Sequence, residues 1–213
     1  MTGRACVSRR AALALGAACV LPLRGALADD PAADLLRRIA AARLPVRTLR
    51  GSFTQTRTIG LLATDVRSKG TLALVRPNRL RWELSPPDDV TFWIGPEGLA
   101  YRGAHGEGRL AAGAGHLSDA LQDLHSLLGG DLADLERRWS VRVLRDDATG
   151  ADVEATSRAP AAEAPRAMRL ALAPDLVRPM HALLVEGPRD RTTIDFGDVV
   201  INAPVDERAM RPP

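Results

Sequence analysis

The stretch GTLALVRPNRLRWELSPP, running from Gly70 to Pro87, alternates apolar and polar side chains with a period of two. Leu72 and Leu74 fall on one face, as do Leu80, Trp82 and Leu84, whereas Thr71, Arg79, Arg81 and Glu83 fall on the other. This is the pattern of two half-buried strands. Pro77 has no N–H to donate and a fixed φ, so it interrupts the ladder and turns the run into a hairpin or a sharp bend. Arg76 keeps the phase of Leu72 and Leu74, which aims a guanidinium at the apolar side. An unpaired charge there is costly, so the side chain must either snorkel out at the strand end or find hydrogen-bond acceptors.

Outward from this hairpin the strand pattern continues in both directions. LRGSFTQTRTIG, from Leu49, alternates Phe53, Gln55 and Arg57 against Ser52, Thr54 and Thr56 and suits a strand rich in β-formers, followed by a turn over residues 60–65. VTFWIGPEGLAYRG predicts strands near 89–94 and 99–103 around a Gly95-Pro96-Glu97-Gly98 turn. Five strands arrive in sequence with short connections, which favours an antiparallel meander. Ahead of them, DPAADLLRRIAAARL predicts a helix that starts at Asp30-Pro31 and stops at Pro45. Its apolar stripe is Leu35, Leu36, Ile39 and, a turn later, Ala42 or Leu44.

The period changes between His116 and Trp139. Leu117, Ala120, Leu121, Leu124, Leu127 and Leu128 recur at spacings of three and four, with Asp119, Gln122, Asp123 and Ser126 opposite. Ser118 is placed to cap the start and Gly129-Gly130 the end, and Asp131 opens a second short helix carrying Leu132, Leu135 and Trp139. Two amphipathic helices in the middle of a sheet protein are positioned to cover a sheet edge or a barrel mouth, so they read as a lid. Strands resume at Trp139–Val143, Val153 to Ala155, MRLALA, MHALLVEG and TTIDFGDVVIN, giving about ten in all. No solenoid period is present, so this is one continuous sheet.

The first 28 residues read as an export signal. Arg4, Arg9 and Arg10 precede an apolar run from Ala11 to Leu23, and Ala26-Leu27-Ala28 is a small-x-small cleavage site before Asp29. Ser8-Arg9-Arg10 with Leu13 also fits a twin-arginine signal, apart from Ala12 where a bulky residue is usual. Residues 29–213 are then a single domain. Cys6 and Cys19 both lie in the signal, which leaves the mature chain without a thiol. The signal also holds four arginines and no acid, so 29 basic residues against 26 acidic ones become 25 against 26. A formal charge near −1 gives no argument for nucleic acid.

Catalytic constellations are absent from the sequence. His105, His116, His125 and His181 are scattered, with no HxxxH pair and no carboxylate at ligand spacing, and His125 is expected on the solvated side of the lid helix. Asp119 and Asp123 lie four apart on a helix, which reads as a polar face. There is no GxSxG elbow, and the glycines between Gly95 and Gly108 lack the strand-to-helix context of a phosphate loop. These patterns point to a non-enzymatic protein with no cofactor and no metal. An apolar inner face under detachable helices instead encloses space for an apolar ligand.

The order of several short motifs resembles the LolA family, the periplasmic carriers of outer-membrane lipoproteins, in its LolA-related branch. They are F-T-Q at 53–55, G-x-L-x-x-x-R-P at 70–77 with R-W at 81–82, P-x-D at 86–88, L-L-G-G-D-L-A-D-L at 127–135, and D-R-T-x-I-x-F at 190–196. The resemblance spans about 29–205. It implies a mainly β fold, an unclosed antiparallel barrel of 10–11 strands with a helical lid, in which the arginine of the R-P element, here Arg76, hydrogen-bonds lid carbonyls and clamps the empty form shut. It also implies acylated lipoprotein or other acyl-chain cargo, an inner-membrane donor complex, an outer-membrane acceptor, a monomer and a periplasmic location.

On this reading the acyl-binding wall is Leu72, Leu74, Leu80, Trp82, Leu84, Phe92 and Ile94. The lid contributes Leu117, Leu121, Leu124, Leu128 and Leu132. The alternative on the same fold is a periplasmic sensor or regulatory scaffold that binds a protein partner.

Overall fold

In the computed structural model the described residues are 30–61, 64–111, 116–129, 136–158 and 166–213. The expected signal over residues 1–28 and the second lid helix up to Leu135, including Leu132, therefore lie outside the described residues. Helix α1 spans Pro31–Arg43. The Asp30 side chain accepts from the Ala32 N–H at 3.0 Å, and Pro31 stands in the first turn, where its missing donor costs nothing.

Six strands follow: β1 (Thr48–Ile59), β2 (Thr64–Val75), β3 (Arg79–Leu84), β4 (Val90–Gly95), β5 (Gly98–Gly103) and β6 (Gly106–Leu110). Helix α2 (His116–Leu128) separates them from β7 (Trp139–Asp147), β8 (Gly150–Ser157), β9 (Ala167–Leu172), β10 (Pro179–Val185) and β11 (Arg191–Ile201).

These strands form one 11-stranded sheet in the order β6-β5-β4-β3-β2-β1-β11-β10-β9-β8-β7, with every pair antiparallel. The two edges, β6 and β7, do not pair, so the barrel is unclosed. The connection between those edges must cross the open side, and α2 is part of that connection. The topology alone thus places a helix over the mouth.

The hairpin at Arg76-Pro77-Asn78 is as expected, with Val75 opposite Arg79 and Leu74 opposite Leu80. Two strand boundaries differ from the sequence pattern. β2 begins at Thr64, inside the expected turn, and the Thr58 hydroxyl donates to Asp65 at 2.8 Å across the two strands. β6 was unexpected because Gly-Glu-Gly-Arg-Leu has low β-propensity. It pairs because Gly108 lies opposite Tyr101, where a Cβ would come 2.8 Å from the phenol oxygen, so the missing side chain admits the ring.

The inner face is a set of registered apolar rows. One row runs Leu49, Leu74, Leu80, Ile94, Leu99 and Leu110 from strand to strand, and the next runs Leu72, Trp82, Phe92 and Tyr101. Across the β1–β11 pair the face continues through Ile194, Ala182, Leu170, Val153 and Val143. The outer face carries Thr71, Glu83, Thr91, Arg102 and Glu107 in register.

Phe53 and Trp82 stack with centroids 3.7 Å apart, and Phe196 meets Trp82 edge-on at 6.3 Å. Gly70 makes this stack possible. A Cβ there would stand 1.9 Å from the Glu83 carbonyl oxygen and 2.7 Å from the Phe53 ring. Gly70→Ala is expected to lower the unfolding free energy by about 2–3 kcal/mol through overpacking. A urea midpoint unchanged from wild type would show that the stack does not depend on that gap.

Candidate functional site

The inner face is covered by two helices. From α1, Leu35, Leu36 and Ile39 are buried, and from α2 Leu124, Leu127 and Leu128 are buried. α1 packs on β7 and α2 on β4, one near each edge of the sheet. The expected wall residues Leu72, Leu74, Leu80, Trp82 and Ile94 are all buried, while Leu84 and Phe92 are half-buried. The backbone at Leu117 and Leu121 lies in α2; their side chains, like Leu132, are outside the described residues. Between Leu36, Ile39, Leu127 and the strand residues Val141, Val153 and Leu170 the residual hollow is about 10 Å³. That is room for one water at most. Where α1 and α2 meet β7–β9, an apolar ligand reaches this wall only by displacing the helices.

Among the described residues, Arg38 ties α1 to β7 through Asp146 at 2.7 and 3.2 Å, and two further arginines cap the helix ends. Arg43 occupies the last turn of α1 and continues the stripe of Leu36 and Ile39, so helical phase carries its side chain under α2. It is 3% exposed. Its Nη2 donates to the Leu127 carbonyl at 2.8 Å. Arg76, at the end of β2, does point inward as its phase requires. Its Nη1 donates to the Arg43 carbonyl oxygen, and its backbone N–H to the Arg47 carbonyl at 2.9 Å.

The expected bond from Arg76 to the lid is therefore corrected. Arg76 holds the end of α1, and Arg43 holds the end of α2. Both acceptors are last-turn carbonyls, which lack intrahelical donors and carry the negative end of the helix dipole, so each guanidinium caps a helix C-terminus. Sequence reasoning missed Arg43 by closing the stripe at Ala42 or Leu44. Leu44 is in fact 79% exposed, and the signal that would have found Arg43 was the i+4 step from Ile39.

This pair of cations is only partly satisfied. Among the described residues, Nε and Nη1 of Arg43 and Nε of Arg76 are buried with no hydrogen-bond partner. No carboxylate among the described residues forms an ion pair with either arginine. Burial, together with the neighbouring charge of Arg76, lowers the Arg43 pKa from its ordinary value to about 10, so it remains a cation at neutral pH.

Two α2 residues also differ from expectation. Asp123, placed by the pattern on the polar side, is 3% exposed and pairs with Arg138 just ahead of β7. His125 is half-buried, its Nε2 has no hydrogen-bond partner among the described residues, and burial lowers its pKa below the ordinary value. Among the described residues no group of three or more His, Cys, Asp or Glu could hold a metal, and no helix is long and apolar enough to cross a membrane.

A family model described as outer membrane lipoprotein carrier protein LolA matches residues 45–211. No curated protein matches the sequence. Among solved structures, an uncharacterized conserved protein from Thermus thermophilus superposes with a TM-score of 0.51 at 8% identity, covering 86% of this chain and 95% of that one. The LolA superfamily protein NE2245 from Nitrosomonas europaea gives 0.46 at 11% identity over 84% and 97%. The Pseudomonas aeruginosa MucA/MucB complex gives 0.49 at 14% identity, covering 86% of this chain and 62% of that one. The chain thus spans about three-fifths of the MucB-complex chains it matches. At these identities the likeness is one of fold.

The cover makes stability depend on pH. Above about pH 6.5 the His125 ring is neutral in both the folded and the unfolded chain. As pH falls below that value the unfolded chain takes up the proton first, because burial depresses the folded-state pKa, so stability declines with falling pH. His125→Gln is expected to lose less thermal stability than wild type between about pH 7.5 and 5.5; parallel melting curves would count against a buried neutral His125.

For the arginines the signs differ. Desolvating the fully buried Arg43 costs several kcal/mol, more than one charge-assisted bond of about 1.5–3 kcal/mol returns, so Arg43→Leu should slow amide exchange in α2. Arg76 is half-buried and shares its charge with water, so its bond to the end of α1 is the larger effect and Arg76→Leu should speed amide exchange in α1. Changes of the same sign in both variants would refute this division.

Proposed function

The chain belongs to the LolA family, and on that premise we propose that it is a periplasmic carrier that takes acyl chains of a lipoprotein or lipid onto the inner face now covered by α1 and α2. The observation that carries this reading is the continuous apolar row from Leu49 to Leu110 on a face that α1 and α2 pack against, with a buried arginine at their junction whose donors are incompletely satisfied. Wall residues buried against a detachable cover can exchange one apolar partner for another without leaving apolar surface in water.

On this proposal the cargo displaces Leu124, Leu127 and Leu128 from the wall, and Leu72, Leu74, Leu80, Trp82, Leu84, Phe92 and Ile94 receive the acyl chains. Lifting α2 breaks the bond from Arg43 to Leu127 and returns the Arg43 guanidinium to water, which offsets part of the apolar burial given up by the helix. Arg76 stays on the rim and keeps α1 oriented for reclosure. No cofactor or bond-breaking chemistry enters the cycle. Residues 1–28 direct export and are removed. A monomer receives cargo from an inner-membrane donor complex and delivers it to an outer-membrane acceptor, with no nucleic acid involved.

Uptake of a fluorescent fatty-acyl probe tests the reading. Arg43→Leu should take up the probe several-fold more slowly than wild type and Arg76→Leu several-fold faster, in line with the bond and desolvation magnitudes above. Uptake identical in all three proteins would remove the arginines from the mechanism. Affinity capture from periplasm separates the carrier from a sensor on the same fold: acylated lipoproteins support the carrier, whereas one unlipidated partner, bound in the absence of acyl chains, overturns it.

A further inference from the structure

Strands β1 and β2, of twelve residues each, are the longest in the sheet, and β2 outruns its neighbour. β3 ends at Leu84, opposite Gly70, so residues 64–69 of β2 continue past it for about 20 Å, at 3.4 Å per residue. On the other side β1 stays paired with β11 as far as Thr58, opposite Arg191. This projecting end lies far from the cover junction, because Thr48 and Val75, next to the Arg43–Arg76 contact, close the opposite end of the same strand pair.

At the projecting turn Leu61 is 94% exposed, and Val66, in register with Arg57, is 42% exposed. Lone apolar side chains are ordinary on a surface, but this one is ringed by cations. Strand alternation puts Arg57 on one face of the hairpin and Arg67 and Lys69 on the other. Arg191 stands opposite Thr58, and Arg189 borders the turn, where a Cβ on Gly60 would come 2.1 Å from its own Cβ. All five are exposed, and among the described residues none makes an ion pair or a side-chain hydrogen bond. Three carboxylates share this end, each already held by a neutral donor. Asp65 accepts from the Thr58 hydroxyl at 2.8 Å, Asp190 from the Gly60 N–H at 2.9 Å, and Glu186 from the Thr192 hydroxyl at 3.1 Å. Five cations against three carboxylates leave the tip positive.

We infer that the β1–β2 turn docks end-on against an anionic lipid bilayer, with Leu61 entering the headgroup layer and the five cations meeting lipid phosphates around it. Cations spread over both faces of a projecting hairpin suit a plane met by its tip, whereas a partner matched to one face would call for cations on that face alone. A leucine at the extremity adds an apolar contact that only a surface with hydrocarbon beneath it rewards. Each cation near such a surface is worth about fivefold in affinity. With one leucine and a small excess of charge, the contact is weak and reversible. It involves neither the apolar rows nor the helices over them, so it does not rest on the carrier reading.

Flotation with sealed vesicles tests it. The exported form, residues 29–213, is expected at low salt to rise with vesicles of phosphatidylglycerol and phosphatidylcholine in equal parts and to stay behind with phosphatidylcholine alone. The double variant Arg67→Glu, Arg191→Glu is expected to bind the anionic vesicles at least about twentyfold more weakly, about fivefold for each cation, with its melting temperature and its uptake of the fatty-acyl probe unchanged. Equal flotation with both vesicle types, flotation with neither, or unchanged affinity in the folded double variant overturns the inference. Probe uptake reports on the carrier reading separately, and its failure in wild type leaves the docking result standing.

A second measurement does not depend on the charge variant. Cys6 and Cys19 both precede residue 29, so Leu61→Cys gives the exported form a single thiol for an environment-sensitive dye. Its emission is expected to shift to the blue on anionic vesicles, while the same dye at Leu144→Cys, exposed on β7, stays unshifted. A shift at residue 144 and none at 61 puts membrane contact elsewhere. Binding only to native membranes, and lost when their proteins are digested, assigns the tip to a protein partner. Either result overturns the inference.

Discussion

Closing the cover buries the Arg43 guanidinium among aliphatic side chains with one carbonyl oxygen to receive it and a second cation alongside. A guanidinium carries five N–H donors, and here one bond, to the Leu127 carbonyl, is made in a place from which water is excluded. The closed form therefore combines a favourable apolar contact with an unfavourable charge burial. Either one alone would give a different protein: a solid core with no reason to open, or a cover that never shuts. Their coexistence makes the helices removable while leaving the sheet beneath intact.

The sheet supplies the frame that makes such a balance useful. An antiparallel meander of eleven strands whose β1 and β11 pair at its centre leaves β6 and β7 as free edges. Because the chain must pass from one free edge to the other, the connecting segment spans the opening whatever its sequence. An amphipathic α2 converts that obligatory passage into a cover. α1 enters from the other side, just ahead of β1, and brings its last turn against the ends of both β2 and α2. Three chain ends thus converge on the Arg43–Arg76 pair, and a change at any one of them is felt by the other two.

Much of this was legible from residues 70–87, and the reasons are physical. Alternation fixes the face of each strand side chain because a slip of one residue would expose the whole apolar set, so Leu72, Leu74, Leu80 and Trp82 could be assigned inward without coordinates. The same phase put Arg76 inside. Its partner could not be read, since a backbone carbonyl leaves no mark in sequence, and the bond expected to reach the lid ends on α1. Asp123 and His125 were assigned to the polar side by residue type and Arg43 was left out of the α1 stripe, although their helical phase placed them at or beside buried stripes. Residue type failed where tertiary partners outweighed it: Arg138 for Asp123 and a helix terminus for Arg43. β6 was illegible for the opposite reason, since its glycines matter only in front of Tyr101.

The energetic scale favours exchange over capture. Among the described residues six helix side chains, Leu35, Leu36, Ile39, Leu124, Leu127 and Leu128, cover the wall. At roughly 2 kcal/mol each they contribute about 12 kcal/mol of apolar burial. An acyl chain of about fifteen methylenes, at about 0.8 kcal/mol each, contributes about 12 kcal/mol when it takes their place. With two near-equal apolar terms, the smaller polar differences decide which state is populated. Rehydration of Arg43 on opening and the broken bond to Leu127 are of that smaller size and of opposite sign. For the proposed carrier, the direction of transfer would then be set by what the chain meets at each membrane rather than by an energy source of its own.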